Sequence, residues 1–201
     1  MVIIAVETPA SEDGSPDVSR VMQVAEVLTN GLNNYTVIAI KSTVPLSTVE
    51  AICATLRGKH QEGQDFDIVV NPEFLRGGSG LTDFFSPTRI VLGSHSERAL
   101  GVMRSLYEPI LKGLRSGPVP LVETTWASAV LVKYASNDLL SSRISFINEI
   151  ADLCARVGAD VRHVVEGIGY DPRIGREYLQ AGLGFGGPCL EKDLRALIKI
   201  A

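Results

Sequence analysis

Cysteine is scarce: Cys53, Cys154 and Cys189 are the only three in 201 residues, an odd number set far apart and without zinc-ligand spacing. That excludes a disulfide framework and leaves no metal site to expect. Cys53 and Cys154 fall on apolar helical faces and read as core residues. No apolar run approaches the roughly 20 residues of a bilayer span, and Met1 leads into Val2-Ile3-Ile4-Ala5-Val6 without a basic leader. A cytoplasmic chain with no membrane partner is the expectation. Charge of one sign is not in excess either, at a net -4, so nucleic acid and anionic lipid are not expected partners. Internal repeats and low-complexity tracts are absent. Also missing is the Gly-rich turn that opens a dinucleotide-binding sheet, since the first strand leads to Glu7-Thr8-Pro9.

What remains is ordinary globular material, 45% apolar and 21% charged, long enough for one large domain or for one domain and part of a second. Apolar, β-branched runs at Val2 to Val6, Thr36 to Ile40, Ile68 to Val70, Arg89 to Leu92 and Val119 to Val122 read as buried strands. Helical periodicity separates them at Ser19 to Thr29, Ser47 to Leu56 and Glu97 to Leu111. The alternation predicts an α/β fold, an incomplete doubly wound, Rossmann-like and largely parallel sheet. Thr124 then opens a stretch without proline or glycine up to Val157. As one helix it would run roughly 50 Å, a length suited to joining domains or pairing subunits. The expected division is a partial nucleotide-binding domain over 1–123 and a central helical, dimerising domain over 124–201. The apolar Ala196 to Ala201 at one end, and the missing glycine turn at the other, read as a chain cut at both ends.

Three groups of residues carry chemistry. Cys189 follows the glycine run Gly182 to Gly187 and Pro188, at the start of a helix expected from about Leu190, with Lys192 and Asp193 inside its first turns. Helix-start amides carry partial positive charge and favour a thiolate, and glycines let main chain approach a ligand closely. The run formally matches G-x-G-x-x-G, but it follows no strand and lacks the acidic residue about 20 positions later, so it is no dinucleotide fingerprint. In Lys133-Tyr134-Ala135-Ser136-Asn137, Lys133 and Asn137 are four apart on one helix face. An ammonium beside an amide can hold an oxyanion, or can simply face solvent; the apolar neighbours Val130, Leu131, Val132, Leu139 and Leu140 favour the first. Past two strand ends lie Asn71-Pro72-Glu73-Phe74-Leu75-Arg76 and Lys41-Ser42-Thr43-Val44-Pro45. Glu73 there is either a general base or a turn carboxylate, and Thr43 either a ligand hydroxyl or a helix cap.

These blocks, with Thr8-Pro9, Asp13-Gly14, Ser145-Phe146-Ile147-Asn148-Glu149 and Asp171-Pro172-Arg173-Ile174-Gly175, occur in the order found in the UDP-glucose 6-dehydrogenase family, within the UDP-glucose/GDP-mannose dehydrogenases, and the chain resembles that family over nearly its whole length. The resemblance implies oxidation of a nucleotide-sugar C6 alcohol to the carboxylate with two NAD, through a cysteine thiohemiacetal and thioester. It implies Cys189 as nucleophile, Lys133 and Asn137 on the oxyanions, Asp193 in proton transfer, and Glu73 as base toward a water held by Thr43. By the same likeness Thr8, Thr43 and Lys192 would meet NAD. Glu73, Phe74, Leu75, Lys133, Asn137, Tyr178, Gly182 and Gly186 would line a UDP-sugar, and Arg173 would reach a neighbour's substrate in a homodimer formed through the long helix. Gly77, Val130, Pro188, Leu190 and Glu191 depart from the family's usual residues, and Glu7 puts a carboxylate where a pyrophosphate is expected. The alternatives are a truncated, non-catalytic dimerising fragment, or a GDP-mannose 6-dehydrogenase. The fragment alone is expected to turn over poorly.

Overall fold

The computed structural model describes residues 1–11, 14–113 and 117–200, the side chains of Pro188 and Ile200 excepted. Asp13 and Ala201, both part of the sequence reading, lie outside the described residues. Five strands form one sheet in the order β1 (Val2–Ile4), β2 (Thr36–Ile40), β3 (Phe66–Val70), β4 (Ile90–Gly93), β5 (Leu121–Thr124). β1, β2 and β3 pair in parallel, β4 meets β3 antiparallel through Val70 and Gly93, and β5 runs parallel to β4.

Helices α1 (Ser19–Gly31), α2 (Leu46–Arg57), α3 (Gly80–Phe85) and α4 (Glu97–Leu111) occupy the connections, and α5 (Trp126–Val157), α6 (Val161–Gly169) and α7 (Pro188–Ile200) follow. The chain forms two compact units, one of 1–11 and 16–133, the other of 12–15 and 134–201. Among the described residues no helix is long and apolar enough to cross a membrane.

β2, β3 and β4 are the sheet's interior strands and carry its continuous apolar runs; Val37 to Ile40, Phe66 to Val70 and Ile90 to Gly93 are buried, Asp67 included. Against β2, β3 and β4 packs α4, whose Ala99, Met103 and Tyr107 lie one helical turn apart on a single face, with Leu100 beside them. Its start is capped by the Ser96 hydroxyl, which accepts from the Ala99 amide at 3.2 Å. β1 and β5 correct the sequence reading. Both were expected buried, yet Ile3 and Val122 are exposed, because the strand order puts these two at the sheet's edges, where one flank has no neighbour. β1 is also shorter than the apolar run that announced it, and α3, six residues long, has too little periodicity to be read from sequence.

Cys53 and Cys154 are buried, as their apolar faces predicted. The Cys53 thiol donates to Glu62 at 3.3 Å, and burial, then that carboxylate, pushes it up to about 11, so it is a core thiol and no nucleophile.

Candidate active site

In the first unit the site begins where the parallel strands end. Past β1 and β2 the backbone stays tied: the Lys41 and Ser42 amides donate to the Ile4 carbonyl at 2.8 and 3.0 Å, and the Asn71 amide donates to Ile40 at 2.8 Å. The Asn71 side chain, 2% exposed, donates to Val91 at 3.0 Å and accepts from the Tyr107 hydroxyl at 2.5 Å. Pro72 then stiffens the exit, and Glu73 leaves β3 from an anchored base.

Glu73 is held at both oxygens. Oε1 accepts from the Lys133 ammonium at 2.9 Å and Oε2 from the Leu75 amide at 2.6 Å. Lys133 is buried, and the Glu73 side chain retains about a quarter of its exposure. Burial alone would raise the Glu73 carboxyl; the Lys133 charge, the Leu75 amide, the Lys133 hydrogen bond and the more distant Lys41 outweigh it and hold it below the ordinary carboxylate value. Burial pushes the Lys41 amine down, Glu73 opposing and Lys133 adding to the effect. The Phe74 ring meets two cations, the Arg89 guanidinium at 3.7 Å from its centroid and the Lys133 ammonium at 5.6 Å. Leu75 is exposed.

Thr8 is nearly buried and its hydroxyl donates to the Thr43 carbonyl at 3.1 Å, which joins the loops after β1 and β2. Thr43 is not the cap of α2; Pro45 occupies that position, without a side-chain cap. Thr8 and Thr43 thus stand past the carboxyl ends of parallel strands, where dinucleotides lie in open α/β sheets, with hydroxyls but no carboxylate of their own. Those residues fit NAD. Glu7, the carboxylate expected to repel a pyrophosphate, is paired with Arg20 at 3.0 Å on the surface.

In the second unit Asp193 is 1% exposed on α7, and its Oδ2 accepts from the Asn137 amide at 2.6 Å. Oδ1 lies 3.3 Å from the Lys192 ammonium, so Lys192, expected at NAD, is engaged with its own neighbour. The Tyr134 hydroxyl is buried with no hydrogen-bond partner among the described residues, and burial, then the Asp193 charge, pushes its phenol up. Cys189 is exposed in the first turn of α7, one turn before Asp193. Gly187, with φ 87, turns the chain into that helix in a conformation that costs other residues strain. Upstream, the Gly182 amide donates to the Asn148 side chain at 2.9 Å, and Gly186 is exposed. Tyr178 is half-buried with φ 60. Arg173 is exposed and doubly bonded to Asp171, at 3.0 Å from Nε and 2.6 Å from Nη2.

Within each unit, then, predicted residues far apart in sequence meet: Glu73 with Lys133, and Asn137 with Asp193. Lys41, Asn71, Arg89, Arg143 and Asn148 were not assigned from sequence. Their signals were the strand-end position of Lys41 and Asn71, the Ser145 to Glu149 block for Asn148, and none for Arg89 and Arg143, since each acts on a residue remote along the chain. Among the described residues no group of three or more His, Cys, Asp or Glu side chains is arranged to hold a metal.

Residues 1–111 match the NAD binding domain of the UDP-glucose/GDP-mannose dehydrogenase family, and residues 127–201 match that family's central domain. UDP-glucose 6-dehydrogenase TuaD of Bacillus subtilis is 43% identical over 201 residues, covering 100% of this chain and 42% of that protein. A UDP-glucose 6-dehydrogenase of Rhizobium meliloti is 45% identical over 204 residues, covering 100% of this chain and 46% of that protein. Among solved structures, a UDP-glucose dehydrogenase from Pyrobaculum islandicum superposes with a TM-score of 0.89 at 40% identity, over 98% of this chain and 45% of the other. The chain therefore spans less than half the length of these relatives. Two successive domain matches over a Rossmann-like sheet and a long helix assign it: the chain belongs to the UDP-glucose/GDP-mannose dehydrogenase family.

Proposed function

We propose that this chain carries catalytic residues for the NAD-dependent oxidation of a UDP-sugar, UDP-glucose first, at its C6 alcohol to the uronate. The observation that carries this reading is an exposed thiol, Cys189, in the first turn of a helix whose next turn presents the buried Asp193 bonded to Asn137. A structural cysteine has no need of a glycine run or of a hydrogen-bonded carboxylate one turn away. NAD, when bound, supplies the hydride acceptor, and Thr8 and Thr43 are the residues that would hold it.

The remaining roles belong to side chains. The Cys189 sulfur adds to the C6 aldehyde and gives a thiohemiacetal, the form from which a thioester arises. Lys133 and Asn137 donate to oxygen as negative charge grows on it. Glu73, kept ionised by Lys133, takes a proton from the water that attacks the thioester. Asp193 holds Asn137 and moves a proton at the C6 oxygen. Phe74, Leu75, Tyr178, Gly182 and Gly186 line the sugar nucleotide in this reading.

Alkylation of Cys189 by iodoacetamide tests it. UDP-glucose is expected to slow the modification at least about fivefold, and complete turnover to yield two NADH per sugar. No protection by UDP-glucose, or one NADH per sugar, overturns the thioester route; protection by GDP-mannose alone reassigns the sugar.

A homodimer through α5 belongs to the same proposal. Leu139, Phe146 and Leu153 are exposed at 62%, 51% and 54% and recur every seven residues, the spacing of a helix-pairing seam. Arg173 would serve the neighbouring subunit's substrate. Sedimentation is expected to show a dimer that Phe146→Glu converts to monomer; an unchanged mass for the variant counts against the seam.

A further inference from the structure

We propose that Arg143 and Asn148 are positioning residues that preset the backbone from Ile174 to Gly182, so that Tyr178 and the glycine run hold their ligand-binding shape before a sugar nucleotide arrives; the ligand in this statement rests on the function proposed above. Both side chains stand on α5, and each bonds main-chain groups of one segment.

Arg143 donates to three carbonyls, Nε to Glu177 at 2.9 Å and Nη2 to Ile174 at 2.9 Å and Gly175 at 3.2 Å. A planar fork can serve acceptors arranged this way, whereas a lysine ammonium on its flexible stem has no matching geometry. The middle of the held segment is strained. Tyr178 has φ 60, a left-handed conformation that a bulky L-residue keeps only when its surroundings impose it. Those surroundings are visible on both sides: the Glu177 carbonyl just before it is fixed by Arg143, and Leu179 just after it is 2% exposed.

Asn148 fixes the far end. Its Nδ2 donates to the Ile144 carbonyl of its own helix at 2.9 Å, which leaves Oδ1 facing the Gly182 amide, also at 2.9 Å. That hydrogen-bond pair determines the amide's orientation. Gly182 opens the run that ends at Cys189, and its first residues, Gly182 to Phe185, line a surface cavity of about 620 Å³ together with Ser145, Asn148 and Asp152. The bonds from Arg143 to Glu177 and from Asn148 to Gly182 lie at the surface, where a hydrogen bond adds little to stability because water replaces it. Their loss should therefore change the shape of the segment more than the fold.

The test uses Arg143→Ala and Asn148→Ala in the full chain, with UDP-glucose affinity by calorimetry, melting temperature, and hydrogen exchange of the 174–187 peptide. Each variant is expected to raise Kd about tenfold or more while Tm moves by less than about 4 °C. Exchange should accelerate in 174–187 and stay unchanged in β2 and β3. About 20 mM guanidinium should restore affinity to Arg143→Ala and not to Asn148→Ala. Unchanged Kd and exchange overturn the proposal, as does a large fall in Tm that accompanies the loss of affinity without guanidinium rescue. If the unaltered chain binds no UDP-glucose, the functional reading fails by itself, and exchange decides the positioning roles: acceleration confined to 174–187 upholds them, its absence removes them.

Discussion

Lys133→Met is expected to lower the free energy of unfolding by about 2–3 kcal/mol, less than the 3–5 kcal/mol of a fully enclosed ion pair because Glu73 keeps some contact with water. Methionine fills the space of the lysine stem, so packing is largely kept and the loss is electrostatic. The Glu73 carboxylate, 2.9 Å from the missing ammonium, would retain the Leu75 amide and the field of Lys41 as compensation. If the proposed function holds, turnover of UDP-glucose should fall by about 10²–10³, the usual cost of one donor to a developing oxyanion. Removing the stranded carboxylate as well, in Lys133→Met with Glu73→Leu, should recover most of the stability and none of the turnover. Urea denaturation of the two single variants and the double variant measures the coupling, and strictly additive effects would show that the pair is not coupled.

The same pair makes a pH prediction. Glu73 is held below its ordinary value of 4.5 in the folded chain, so its contribution to stability is present above pH 4.5 and disappears as pH falls through the depressed folded value. Lys133→Met should flatten that acid limb of the stability curve.

The second large effect is at Cys189. Serine there keeps size and helix start but is a far poorer nucleophile at neutral pH, so complete conversion to uronate should fall by about 10³ or more. The loss should be selective in kind: in the proposed route the first hydride transfer needs no thiol, and single-turnover traces should show at most one NADH per sugar. Because Cys189 is exposed in a helix's first turn, the melting temperature should hardly move. Two NADH per sugar from Cys189→Ser would remove the thiol from the mechanism.

Legibility in the sequence followed locality. β2 and α4 were read at their observed bounds, β2 from an unbroken apolar run and α4 from its helical period, and α5 was read as opening at Thr124, two residues before its start at Trp126, because nothing up to Val157 breaks a helix. The edge positions of β1 and β5 were hidden, since strand order is a property of the whole sheet. Glu73 and Lys133 were each recognised, but their bond joins residues 60 apart, and the separate reading of Lys133 as an oxyanion donor gave no hint that a carboxylate already occupies it. Asn137 and Asp193, 56 apart, pose the same difficulty. The left-handed backbone of Tyr178 had no local sign either, for the usual glycine or asparagine is absent and the constraint comes from Arg143.

The reversal between β3 and β4 has a practical side. It sends the exit of β4 toward the entrance of β3, where Ser96 and Tyr35 both donate to Asp67, at 2.6 and 2.7 Å. That rim, where Asp67, Ser96 and Gln61 line a surface cavity of about 630 Å³, lies a strand's length, about 17 Å, from Thr8, Thr43 and Glu73. A fluorophore or an immobilising handle attached at the exposed Gln61, beside that rim, would report on or anchor the protein without entering its chemistry.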